Sequence, residues 1–301
     1  MQTAAKIWMN GKFLAWGKAN IHILTHTLHY GGGAFEGIRF YKTAKGPAVF
    51  RLKEHVDRLF YSAGCLQMKI GFTKKEVSEA IVQLIRVNRL EEGYIRPIAY
   101  YGYGKMGLDP RGCVVNLAIA MWPWGAYLGD KPVKAGISKY MRIHPRSTVS
   151  DAKLCGHYVN SIFASLDAHS RGFDEAILLD SEGNVAEGPG ENIFIVQRGV
   201  LITPKKGSIL PGLTRSAILE IARREKIPAR EATVTKKMLL RAEEAFYSGT
   251  AAEISPIASV NKQTIGKGKI GPVTKNLKEI FQRIVRGEIP GYKNWLTYAK
   301  K

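Results

Sequence analysis

Several short runs of this sequence hold residues able to do chemistry. Lys153 sits in SDAKLCGHYVN, after the Ser/Thr-rich stretch STVS and at the start of an apolar helix. An amine in such a place becomes a nucleophile or a base once burial or a neighbouring cation strips its proton. Glu187 sits in NVAEGPGEN, where glycines let backbone approach a ligand closely. PGLTR, at 211–215, opens a helix, and helix N-termini present N–H groups and a favourable dipole to phosphate. SGTAAE, at 248–253, is a second small-residue turn able to offer N–H groups to an anion. Each run alone has an ordinary reading. Lysines are mostly surface charges, EGPGEN is a tight turn with solvated acids, Pro and Thr favour helix starts, and SGT is common in turns.

Taken together, an amine, a carboxylate and anion cradles are what pyridoxal phosphate asks of a protein: a lysine for the Schiff base, an acidic partner for the ring nitrogen, and a holder for the phosphate. A nearby carboxylate keeps the pyridine protonated because opposite charge favours the charged form. The protonated ring then withdraws electrons from the Cα carbanion.

The elements that must position these residues follow from pattern. IWMNGKFL reads as a hairpin around Asn10-Gly11, and GIRFYKTAKGPAVFR as a second one turning through Lys45-Gly46-Pro47. Thr73 and Glu76 form a capping box for a helix with Val77, Ala80, Ile81, Leu84 and Ile85 on one face. YIRPIAYYGYG and CVVNLAIAMW read as buried strands, AGISKYMRI as another strand, and YVNSIFASLDAHSRG as a helix stopped by Gly172. EAILLD, ENIFIVQ, VLITP and EEAFYSG are further strands, with helices from about Thr214 to Lys226 and near Val273–Val285. PWGAYLGDKPV, rich in Gly, Pro and aromatics, reads as a linker. The division expected is a small α/β domain at 1–122, an interdomain loop at 123–133 and a larger domain at 134–301.

A chain of 301 residues is long for one core and comfortable for two. Its 45% hydrophobic fraction is ordinary for a soluble globular protein. No stretch approaches the roughly 20 apolar residues of a membrane helix, and MQTAAKIWMNGKF lacks the basic end and long apolar run of a secretory signal. Cys65, Cys113 and Cys155 are too widely spaced for a disulfide framework or a metal knuckle, which is consistent with a reducing cytoplasm. The seven histidines show no spacing such as HExxH, so no metal is expected. A net charge of +20 favours polyanions in general, but the basic residues are spread along the chain and no nucleic-acid-binding motif accompanies them. The charge therefore reads as a solvated basic surface, or as attraction for anionic substrates and cofactor.

The run from AKLCGHYVN through EGPGENIFIV, LPGLTR and FYSGTAAEISP closely resembles the class IV aminotransferases of fold type IV. HTLHYGGGAFEGIRFY, RLKEHVDRL, YIRP, MGLDP and PWGAYLG narrow the resemblance to branched-chain amino acid aminotransferases, from about Ile7 to the last helix. It implies an α/β (α+β) fold in which a small α/β domain precedes a larger one with a pseudo-barrel sheet. It also implies amino transfer between Leu, Ile or Val and 2-oxoglutarate on pyridoxal 5′-phosphate.

By that resemblance Lys153 forms the Schiff base and moves the proton, Glu187 faces the pyridine nitrogen, and Tyr158 bonds the ring's phenolic oxygen. Arg58 clamps the phosphate with the N–H groups of Leu213 and Thr214 and the Thr250 hydroxyl; its planar fork suits phosphate oxygens. Phe35, Tyr94, Trp124 and Tyr127 line the side-chain pocket, Gly37 leaves room, and Arg96 takes glutamate's distal carboxylate. Thr250-Ala251 and Tyr94 hold the α-carboxylate. Tyr30 and Leu108 reach in from a neighbouring subunit, implying a homodimer at least, with a trimer of dimers as the larger form. Core packing is the plain alternative for these aromatics.

His157 and Pro189 stand where relatives often carry other residues, and Cys155, two residues after Lys153, offers a target to thiol reagents; each bears on tuning rather than on the chemistry. Rival activities on the same fold are a D-amino-acid aminotransferase, an aminodeoxychorismate lyase and an R-selective amine transaminase. The YIRP and MGLDP elements argue against the first, and Tyr94-Ile95-Arg96 against the second. From another class, a catalytically silent basic interaction protein would be expected to have lost one of Lys153, Glu187, Arg58 and Thr250.

Overall fold

A computed structural model of the chain describes residues 3–125, 128–129 and 131–299. Two compact units emerge, one of Met1–Gly125, Ala152–His157 and Arg283–Lys301, the other of Ala126–Asp151 and Tyr158–Gln282. The return of residues 152–157 and 283–301 to the first unit is something a linear division at residue 122 has no means of expressing.

In chain order the first unit holds β1 (Lys6–Met9), β2 (Lys12–Ala15), α1 (His26–Tyr30), β3 (Gly33–Phe35), β4 (Ile38–Tyr41), β5 (Ala48–Phe50), α2 (Leu52–Cys65), α3 (Lys74–Asn88), β6 (Gly93–Tyr101) and β7 (Val115–Trp122). The second brings β8 (Val133–Ile137), α4 (Tyr158–Ser170), β9 (Glu175–Leu179), β10 (Val185–Glu187), β11 (Asn192–Gln197), β12 (Val200–Pro204), α5 (Leu213–Arg224), β13 (Ala229–Ala232), α6 (Lys236–Leu240), β14 (Glu244–Gly249), β15 (Glu253–Val260), β16 (Gln263–Thr264) and α7 (Pro272–Val285), before β17 (Leu296–Tyr298) rejoins the first.

The first unit is an eight-stranded sheet in the order β17-β5-β4-β6-β7-β1-β2, with β3 also on β6. Asn10 and Gly11 both take positive φ (46° and 88°), the geometry that lets a two-residue turn match strand twist. The capping box of α3 is present, with the Thr73 hydroxyl accepting from the Glu76 N–H and the Glu76 carboxylate accepting in return. Val77, Ala80, Ile81, Leu84 and Ile85 are all buried, as the spacing requires, and pack with Leu59, Val56 and Ile95.

The second unit is a nine-stranded mixed sheet in the order β10-β9-β8-β15-β14-β11-β12-β13, with β16 on β15. The Val185 N–H of β10 donates to the Val234 carbonyl just past β13 at 2.8 Å. The two ends of the strand order are thereby bridged, and the sheet curls back toward closure as a pseudo-barrel. Ile177, Ile193, Ile195, Tyr247 and Val260 fill its core.

The strand expected over AGISKYMRI stops at Ile137. Beyond it side chains take the backbone donors: Asp167 accepts the Lys139 N–H (3.2 Å) and the Ser138 hydroxyl accepts the Tyr140 N–H (3.1 Å). The chain so released carries Arg142, whose N–H returns to the Leu179 carbonyl.

One remote carboxylate holds a helix start. Buried Glu244 on β14 accepts from the N–H groups of Val273 and Thr274 and from the Thr274 hydroxyl, at 3.0, 2.7 and 2.6 Å. Gly271 leaves it room, since a Cβ there would lie 2.1 Å from the Glu244 Cδ. Glu244→Ala is expected to lower the unfolding free energy of this unit by about 2 kcal/mol. Calorimetry checks this, and an unchanged midpoint would count against the cap.

Candidate active site

The candidate residues fall into two groups, one in each unit. In the first unit, α2 presents His55, Arg58 and Ser62 at helical spacing on one face. The Ser62 hydroxyl accepts the Lys153 N–H at 2.9 Å. The Lys153 carbonyl in turn accepts the Phe35 N–H at 3.1 Å, and Leu154 pairs with Ala34 of β3. A segment without regular structure is thus held like an added strand, and Lys153 Nζ lies 4.9 Å from the centre of the Phe35 ring. Burial, then the Arg58 guanidinium, pulls the Lys153 amine down to about 8, against an opposing pull from Glu36. Such an amine is partly free base near neutrality.

Next to it lies a cluster that sequence reasoning missed. Glu36 is fully buried, and its carboxylate accepts from Arg58 Nε (2.6 Å) and Nη2 (3.0 Å). Its Oε2 also lies 2.7 Å from His55 Nδ1. Burial pushes the Glu36 carboxyl up, but the Arg58 charge, with His55 and the hydrogen bonds of both, outweighs it and holds Glu36 well below the usual carboxylate range. Burial lowers His55 despite the adjacent carboxylate. A signal was available: Glu36 stands between Phe35 and Gly37, both already candidates.

Of the remaining first-unit candidates, Phe35, Tyr94 and Trp124 form an aromatic box with the Arg96 cation. The Arg96 guanidinium carbon lies 4.9, 5.3 and 5.9 Å from the ring centres of Phe35, Tyr94 and Trp122. Tyr94 meets Trp124 edge-on at 4.6 Å, and Arg96 Nη2 lies 3.4 Å from the Tyr94 hydroxyl. The buried Nε of Arg96 has no hydrogen-bond partner. Gly37 is required here, because a Cβ would fall 1.8 Å from the Tyr94 hydroxyl oxygen. Trp122, read from sequence only as a strand residue, belongs to the box. Tyr30 and Leu108 stand apart from it as exposed side chains, at 43% and 84%. Tyr127 lies outside the described residues.

In the second unit the Glu187 carboxylate is gripped from several directions. Arg142 Nε donates to Oε1 at 2.5 Å, and Asn192 Nδ2 and the Leu210 N–H each donate to Oε2 at 3.0 Å. Asn192 also joins the two anion-cradle candidates. It pairs in register with Ser248 of β14, and a Cβ on Gly212, the N-cap of α5, would lie 2.0 Å from its Oδ1. Glu187, the α5 start with Leu213 and Thr214, and the turn carrying Thr250 and Ala251 are therefore neighbours. Gly212 supplies no side-chain cap to α5, and the buried Ser248 hydroxyl has no hydrogen-bond partner. Tyr158 is the half-buried first residue of α4. Neither Arg142 nor Asn192 was a sequence candidate.

Among the described residues no group of three or more His, Cys, Asp or Glu is placed to hold a metal, and no helix is long and apolar enough to cross a membrane.

The first unit, taken by itself, holds an amine with a lowered pKa. The second, taken by itself, holds a gripped carboxylate and a helix start that has no side-chain cap. The chain belongs to the class IV aminotransferases, whose family model matches residues 33–260. Several relatives match it over nearly the full length. It is 44% identical to the branched-chain-amino-acid aminotransferase of Pseudomonas aeruginosa, over 98% of this chain and 97% of that one. The enzyme of that name from Escherichia coli is 41% identical over 98% and 97% of the two chains. A crystal structure of the T.th. branched-chain amino acid aminotransferase complexed with N-(5′-phosphopyridoxyl)-L-glutamate superposes with a TM-score of 0.97 at 42% identity, covering 100% of both chains.

Proposed function

We propose that this chain is a branched-chain-amino-acid aminotransferase that uses pyridoxal 5′-phosphate to move the amino group of leucine, isoleucine or valine to 2-oxoglutarate. The observation that carries the reading is the Lys153 amine, lowered to about 8 and held beside Arg58 and over Phe35. The full-length likeness to enzymes of that name supports it.

The residues present fit the cofactor. An uncapped helix N-terminus adjoining a buried, unpartnered Ser248 hydroxyl suits phosphate oxygens. A carboxylate oriented by an arginine, an amide and a backbone N–H suits a ring nitrogen carrying a proton. When bound, pyridoxal phosphate supplies an aldehyde that captures amines and a ring that accepts negative charge from the substrate's Cα.

The chain's own groups do the rest. Lys153 holds the cofactor, and as a neutral amine it takes and returns the Cα proton. Glu187 accepts the ring-nitrogen proton in a hydrogen bond, and Tyr158 bonds the phenolic oxygen. Arg58, the N–H groups of Leu213 and Thr214, and the Thr250 hydroxyl bind the phosphate. Phe35, Tyr94, Trp124, Tyr127 and the gap at Gly37 receive a branched side chain, and Arg96 binds glutamate's distal carboxylate. Thr250-Ala251 and Tyr94 orient the α-carboxylate. Tyr30 and Leu108 complete the site of a second copy in a homodimer or a trimer of dimers. Their exposure, with that of Ile21, Ile23, Leu24 and Leu28, supports a covered face. The three free cysteines favour a reducing cytoplasm.

Leucine-to-2-oxoglutarate turnover by the yellow purified protein tests the assignment, and colourless protein that takes up no pyridoxal phosphate would sink it. The amine adds a pH signature. Below about 8 the Lys153 ammonium has no lone pair, and above it the free amine attacks. Capture of pyridoxal phosphate by apoprotein is expected to quicken about tenfold per pH unit below that value and to level off above it. Stopped-flow absorbance reads this, and a flat profile would contradict the lowered amine.

A further inference from the structure

Glu36 has no part in the proposed reaction, yet it is fully buried and charged. A buried carboxylate is costly unless its partners are well placed. Its partners here are specific: Arg58 Nε and Nη2 on separate oxygens at 2.6 and 3.0 Å, His55 Nδ1 at 2.7 Å, and the Gly37 N–H at 3.3 Å. A two-point pair of this kind fixes the guanidinium plane and not merely its position. It occupies the Nε–Nη2 edge, so the edge carrying Nη1 is turned away from Glu36. His55, one turn before Arg58 on α2, shares the Oε2 that accepts from Arg58 Nη2 and so fixes the carboxylate further. The Glu36 backbone is pinned as well, its N–H donating to the Pro97 carbonyl at 2.9 Å.

We propose that Glu36 is the positioning residue of the phosphate clamp, holding Arg58 by one edge so that its opposite edge meets the phosphate monoester of the cofactor. The inference rests on the aminotransferase reading for the identity of that ester. Glu36 touches no reacting atom and acts through Arg58. Arginine on a flexible stem loses rotamer freedom on binding an anion. An arginine already locked by a buried carboxylate has lost it in folding, and binding is tighter by that margin.

The test compares binding of pyridoxal phosphate with that of pyridoxal, which has the aldehyde and ring but no phosphate. Apoprotein of full length is titrated with each, for wild type, Glu36→Gln, Arg58→Ala and the double variant. Glu36→Gln is expected to weaken pyridoxal phosphate about tenfold and pyridoxal by less than about threefold. In the Arg58→Ala background the same change is expected to leave the ratio of the two affinities within about twofold. Both compounds weakening together would indicate a general structural role and overturn the proposal. So would an unchanged or raised ratio, or an undiminished effect without Arg58. If Glu36→Gln fails to fold, Glu36→Asp keeps the charge but withdraws it by one methylene, and a wild-type ratio there overturns the proposal equally. Wild-type protein that binds neither aldehyde removes the aminotransferase reading and this inference together. Wild-type binding with an unshifted ratio in the variant removes the inference alone.

Discussion

Leucine turnover is expected to fall by at least about a thousandfold when Lys153 is replaced by alanine, because the proposed reaction gives one side chain both the covalent hold and the proton transfer. The fold should survive. The segment is fixed through its backbone, by the Ser62 hydroxyl on the Lys153 N–H and the Phe35 N–H on its carbonyl, and neither bond involves the amine. Removing a desolvated amine also relieves a burial penalty, as its lowered pKa records. Under the proposed roles the phosphate-binding groups are untouched by the change, so cofactor is expected to associate still, without a covalent link. Steady-state assay, calorimetry and dialysis against borohydride-treated controls read the three parts separately. Activity within tenfold of wild type would mean that another amine does the work.

Arg96→Ala is expected to divide the two substrate classes. Its guanidinium is walled by Phe35, Tyr94 and Trp122, and its Nε is buried without a partner. Such a group awaits an acceptor, which glutamate's distal carboxylate provides and a leucine side chain does not. Truncating one member of a largely desolvated charge pair costs kcat/KM for glutamate about a hundredfold. Leucine needs only the aromatic walls and should lose less than about threefold. Equal losses for both donors would show that Arg96 supports the pocket rather than reading the carboxylate.

Most of the framework was legible because it rests on local rules. The Asn10-Gly11 turn, the Thr73–Glu76 cap and the buried face from Val77 to Ile85 all depend on neighbours a few residues apart. Tyr94 and Arg96 entered through the family resemblance, and their position two apart on β6 puts both on one face of the strand. What escaped was whatever depends on distant chain. Arg58 alone reads as a helix-surface charge, and its orientation is set by Glu36, 22 positions away. Arg142 reaches Glu187 across 45 positions, from a stretch whose strand-like pattern yields to side chains competing for its backbone. Asn192 looks like the first residue of a strand, and only its contact with Gly212 and its bond to Glu187 show that it joins carboxylate to cradle.

The strand at Leu296–Tyr298 carries a consequence for biosynthesis. It pairs with β5 through Leu296–Phe50 and Tyr298–Ala48, and the Ala299 N–H closes on the Pro47 carbonyl. On the ribosome, the sheet built from β1 to β7 therefore waits for residues 296–299 to emerge before it can be completed. The half translated later has every strand it needs once residue 282 has emerged. Domains made during synthesis generally fold in the order they appear; here the order of completion is reversed, and the lysine-bearing half is the last to mature.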